Sequence, residues 1–116
     1  MIKKCALVID KRVELSTKYK KLLEQSGIYV YVAHEIPEAV RVLTELEPDL
    51  VVVSDSLEGK LSDNCQKVKV LSANIRPCIV AISKSEDLKD KLEVLNTGAD
   101  DFLSEPIEPE EFKARI

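Results

Sequence analysis

The stretch Pro48-Asp49-Leu50-Val51-Val52-Val53-Ser54-Asp55 decides the fold. Leu50–Val53 is an unbroken apolar run rich in β-branched residues, closed by a polar pair. A strand with one wet face alternates apolar and polar residues. This one does not, so both of its faces must be covered, as in a parallel sheet flanked by helices. Cys5–Ile9 and Cys78–Ile82 have the same texture, Tyr29–Ala33 is a fourth strand, and Phe102-Leu103 is a short fifth.

Helical periodicity fills the gaps between these runs. Leu15, Tyr19, Leu22 and Leu23 share one helix face that ends near Gly27. Ile36, Ala39, Val40 and Leu43 form a second stripe with Pro37 in its first turn. Leu61, Cys65, Val68 and Leu71 form a third, and Leu88, Leu92 and Leu95 a fourth. Ser85 is the expected N-cap of that fourth helix, and Gly98 its end. Pro109-Glu110-Glu111-Phe112 opens a fifth helix that is cut short at Ile116. The expectation is an excised domain with more chain following. The order βαβαβαβαβα predicts a single α/β domain over residues 1–116, a doubly wound, flavodoxin-like parallel sheet of order 2-1-3-4-5. Helices 1 and 5 should cover one face and helices 2, 3 and 4 the other.

Composition narrows the function. With 116 residues, 45% of them hydrophobic, the chain suits one domain with a real core. A net charge of −4 lacks the basic footprint of a nucleic-acid binder. No apolar run approaches a membrane span or a signal peptide, so the expected location is cytoplasmic. Three cysteines without a C-x-x-C pair, beside one histidine, exclude zinc-site spacing and suit reduced core thiols. The first 21 residues carry seven cations and two acids, whereas residues 86–116 carry ten acids and four cations. Solvated helix faces account for most of this, and an acidic face would still steer a basic partner.

In sheets of this kind the functional crevice lies beyond the carboxyl ends of the strands. That rule picks out Asp10, Ser54-Asp55, Ser83 and Glu105. The charged Asp10-Lys11-Arg12-Val13 is a poor phosphate loop for a flavin carrier. It also lacks the second aspartate of an aspartate-nucleophile phosphatase. No G-x-G-x-x-G or P-loop is present, and no enzyme is expected.

Gly98-Ala99-Asp100-Asp101-Phe102-Leu103-Ser104-Glu105-Pro106-Ile107, with Pro48–Asp55 and Arg76–Ser83, resembles the response-regulator receiver domain of two-component signalling. The resemblance spans essentially the whole chain. It implies a phosphoryl group passed from a sensor histidine kinase to an aspartate, with Mg²⁺ bridging phosphate oxygens. On this basis Asp55 is the candidate phosphoacceptor, although the commonest family spacing from Pro48 falls on Ser54. Ser83 is the switch hydroxyl and Phe102 the switch aromatic. Asp10, Asp55 and the Leu57 backbone carbonyl are the implied metal ligands. The face made by helix 4, strand 5 and helix 5 is the implied surface for homodimers and output partners. The Glu105-Pro106 bond is expected cis.

Two positions break the family pattern. The acidic pair reads Asp10-Lys11, and the usual lysine is Glu105. Asp10, Asp55 and Glu105 against Lys11 carry the same net charge of −2 as the family's quartet, so the total survives while its placement is swapped. In one reading the site is compensated: Glu105 lends a metal ligand, and Lys11 binds phosphate. In the preferred reading Lys11 takes the place of the metal, reaches Asp55 or Glu105 as an ion pair, and leaves Mg²⁺ doubtful. Phosphorylation is then weak or absent. The alternative function is a phosphorylation-independent pseudo-receiver acting as an interaction module.

Overall fold

Five short strands, the three central ones too apolar to face water, pair side by side in the computed structural model, which describes residues 4–116. They are β1 (Cys5–Ile9), β2 (Tyr29–Ala33), β3 (Leu50–Ser54), β4 (Cys78–Ser83) and β5 (Asp101–Ser104). Between and after them run α1 (Val13–Gln25), α2 (Ile36–Glu45), α3 (Leu61–Leu71), α4 (Leu88–Thr97) and α5 (Pro109–Arg115). All four strand pairings are parallel, in the order β2-β1-β3-β4-β5. Lys3, one of the seven N-terminal cations, lies outside the described residues.

The period of two along each strand sorts side chains onto two faces. Ala6, Val8, Leu50, Val52, Val80, Ile82 and Leu103 pack with Tyr19, Leu22 and Leu23 of α1 and Phe112 of α5. Leu7, Ile9, Val51, Val53, Ile79, Ala81 and Phe102 pack with Ala39 and Leu43 of α2, Cys65 and Val68 of α3, and Val94 of α4. The expected division of the helices between the faces therefore holds.

Three local expectations are corrected. In α4 the buried residue is Val94, whereas Leu88 and Leu92 stand 66% and 49% exposed. The stripe's first two members thus point outward, while its third, Leu95, is partly buried against the core. The N-cap of α4 is Asp87, whose carboxylate accepts the Lys89 N–H at 2.8 Å. Ser85 instead accepts from the Asp87 N–H and donates to Asp90. Cys78 opens β4 at its exposed end, while Cys65 is buried and Cys5 half-buried.

Gly98 closes α4 where a side chain has no room. A Cβ there would stand 3.1 Å from the Cys65 carbonyl oxygen, so the glycine permits α4 to approach α3. The Glu105-Pro106 peptide is cis, as expected.

Candidate functional site

The strand alternation continues past the strand ends and sets the site. Asp10 follows Val8, and Ser54 follows Val52, on the face shared with α1 and α5; Glu105 follows Leu103 there. Asp55 follows Val53, and Ser83 follows Ala81, on the opposite face with Phe102. The strand-end residues thus divide into two groups.

The first group gathers around Arg12. Asp10 is fully buried. Its Oδ1 accepts the Arg12 backbone N–H at 2.9 Å, an Asx-turn that swings the chain back over the carboxylate. The Arg12 side chain then clamps the same carboxylate with two bonds, Nε to Oδ1 and Nη2 to Oδ2, each 2.9 Å. Nη2 also donates to Ser54 Oγ at 3.0 Å, and Nη1 lies 3.0 Å from Glu105 Oε1. That last contact is a charge contact rather than an aligned hydrogen bond, since Oε1 is buried without a hydrogen-bond donor. Ser56 Oγ donates to Asp10 Oδ1 at 2.8 Å, and Tyr19 Oη donates to Glu105 Oε2 at 2.6 Å.

The electrostatics follow from this wiring. Burial alone would raise the Asp10 carboxyl, but the bonds from the Arg12 side chain and backbone and from Ser56 outweigh it. They hold it below the ordinary carboxylate value. The Arg12 guanidinium is held more firmly charged, first by Asp10 and then by Glu105, against the cost of its own burial. Burial, then the bond to Glu105, pushes the Tyr19 hydroxyl up.

The second group centres on Asp55, which is half-buried. Its Oδ2 accepts from Ser83 Oγ and from the Lys84 N–H, both at 2.9 Å. Phe102 is buried on the same face. Leu57 is buried in the loop that follows.

Lys11 does not behave as expected. Its side chain is exposed and makes no ion pair among the described residues; only its backbone N–H is engaged, by Ser56 Oγ at 3.1 Å. The Asx-turn explains the exchange, because it presents the second residue after Asp10 to the carboxylate and turns the first outward. Arg12, Ser56 and Tyr19 are the members of the site that sequence reasoning left out; Ser54, picked out as a strand-end residue, joins them through its bond from Arg12. Asp10 at a strand end, two residues before an arginine, was the available signal.

The family model for the response regulator receiver domain matches residues 6–116. The chain belongs to the response regulator receiver domain family. This receiver is 30% identical over 114 residues to the phosphate regulon transcriptional regulatory protein PhoB of Klebsiella pneumoniae, covering 95% of this chain and 48% of that protein. It is 31% identical over 111 residues to the virulence transcriptional regulatory protein PhoP of Salmonella typhimurium, covering 95% and 49%. The chain thus spans about half the length of the curated relatives it matches. The crystal structure of a two-component response regulator from Clostridium difficile matches with a TM-score of 0.88 at 26% identity, covering 97% of this chain and 92% of that one. Receiver domains bind Mg²⁺ at the phosphorylation site and signal through histidine kinases and other proteins. Among the described residues of this receiver, no helix is long and apolar enough to cross a membrane.

Proposed function

We propose that this receiver is a pseudo-receiver, an interaction module whose pocket is closed by its own Arg12 rather than by Mg²⁺ and phosphate. The observation that carries the reading is the guanidinium itself. It contacts Asp10, Ser54 and Glu105 together, from the ends of three strands. A divalent ion needs several free oxygen ligands. Both oxygens of Asp10 are already bonded to Arg12, the neighbouring family acid is Lys11, and the family lysine is Glu105. This donor set does not fit Mg²⁺. A planar, delocalised +1 charge fixed between two carboxylates does the neutralising that a metal would otherwise supply.

A second reading rests on Asp55. It lies half-buried and hydrogen-bonded to the switch hydroxyl Ser83, so it is the carboxylate available to a phosphodonor. In that reading the kinase-driven switch survives on the Asp55 side alone.

The output surface we assign is the α4–β5–α5 face. Leu88 and Leu92 of α4 are exposed one turn apart, and the Arg115–Asp101 pair, 2.8 Å between Nη1 and Oδ1, ties α5 to β5. An exposed apolar pair on a face this ordered suits a second copy or an output partner.

Titration calorimetry with Mg²⁺ tests the proposal. The wild type should give no saturable heat. The variant Lys11→Asp/Arg12→Ala/Ser54→Asp/Glu105→Lys, which rebuilds the family pattern, should bind. Equal binding by both would reject the closed-pocket reading.

A further inference from the structure

We infer that Tyr19 transmits the arrangement of the Arg12 cluster to helix α5, along a route separate from Ser83 and Phe102. Three consecutive contacts define it. Arg12 Nη1 meets Glu105 Oε1 at 3.0 Å, and Glu105 Oε2 accepts from Tyr19 Oη at 2.6 Å. The Tyr19 ring stacks on Phe112, with centroids 5.6 Å apart and an interplanar angle of 28°. Phe112 is the buried residue of α5.

The geometry leaves this chain of contacts little slack. Tyr19 is 1% exposed and Phe112 0%. A ring in a close-packed interior turns only when its neighbours move. The Tyr19 ring is held at both ends, by its hydroxyl on Glu105 and by its face on Phe112. Glu105 in turn answers to Arg12. Helix α5 has seven residues and is too short to hold its place by helix propensity, so it is seated by the Phe112 contact, by buried Ile107 just before it and by the Arg115–Asp101 pair. The sheet separates this route from the other one. Tyr19, Ile107 and Phe112 pack on one face, whereas Phe102 packs on the opposite face with α2, α3 and α4. A change at Asp55 and Ser83 therefore reaches α4 first, and a change at Arg12 reaches α5 first. Tyr19 is a positioning residue in this scheme. Its role does not depend on whether the domain takes phosphate, and the test uses none.

The test is amide NMR on the intact domain. Arg12→Lys keeps the charge but loses the two-bond clamp. In the wild-type background it should shift the amides of residues 110–115 as well as those of Ser56 and Leu57. In the Tyr19→Phe background, which keeps the ring stack and removes the hydroxyl, the Ser56 and Leu57 shifts should persist. The shifts over 110–115 should then fall at least threefold. Glu105→Gln serves as the second perturbation, so that one poorly folding variant does not decide the result, and it should show the same dependence on Tyr19. Undiminished α5 shifts in the Tyr19→Phe background would overturn the inference. So would an absence of α5 shifts for both variants in the wild-type background.

Discussion

Arg12 Nη1 lies 3.0 Å from Glu105 Oε1, joining the loop after β1 to the loop after β5 across the ends of β3 and β4. In receiver domains the position of Glu105 is a lysine that faces acids. Here the acid has moved to that position and the cation to the other side of the pocket.

This pair sets the first stability expectation. Arg12→Ala leaves two inward carboxylates without their cation, and breaking a buried pair from one side costs about 3–5 kcal/mol. Lys11→Ala removes an exposed side chain with no ion pair and should stay within about 0.5 kcal/mol of wild type. Urea unfolding of both variants checks the contrast. A larger loss for Lys11→Ala would restore Lys11 as the internal cation.

The same cluster gives a pH dependence. The Asp10 carboxyl is held below its ordinary value of 3.8 in the folded state. A depressed carboxyl stabilises the fold above the unfolded value, and that contribution disappears as pH falls through the folded one. The stability gap between wild type and Asp10→Asn should therefore hold steady from pH 7 to 5. It should narrow below about pH 4. Denaturant titrations across that range test it, and a gap that widens on acidification would contradict the assignment.

The fold was legible because its cause is short-range. Unbroken apolar runs such as Leu50–Val53 require cover on both faces, and the helical stripes between them supply it. What escaped the sequence were choices made by three-dimensional context. The spacing of Leu88 and Leu92 gives a helix face without saying that Val94 is the inward one. Asp10 and Glu105 were visible at strand ends, but the residue that joins them depends on an Asx-turn. One hydrogen bond from the Arg12 N–H to Asp10 Oδ1 decides between Lys11 and Arg12. The division of Ser54 from Asp55 likewise needs the strand to run regularly to its last residue, which places them on opposite faces.

Gly98→Ala probes the seam between α3 and α4. The added Cβ would meet the Cys65 carbonyl oxygen at 3.1 Å and its carbon at 3.3 Å. Both are backbone atoms, so the helices must separate, at a cost of about 1–3 kcal/mol. Thermal unfolding should show the loss, and an unchanged midpoint would mean that the seam is slack.

Self-association tests the output face. Leu88→Glu/Leu92→Glu alters exposed positions and should leave unfolding free energy within about 0.5 kcal/mol of wild type. Sedimentation equilibrium should show concentration-dependent dimers for the wild type and monomers for the variant. Dimers of equal strength in both would move the contact away from α4.

In the proposed reading the domain's own guanidinium closes the pocket to phosphoryl chemistry. Its most direct test is the intact mass of the wild-type domain after incubation with a small-molecule phosphodonor and Mg²⁺. The Lys11→Asp/Arg12→Ala/Ser54→Asp/Glu105→Lys variant is treated in parallel. The wild type should stay unmodified, and the variant should gain one phosphoryl group. A wild type that gains one phosphoryl group, lost on Asp55→Asn, would contradict it and make Asp55 the acceptor.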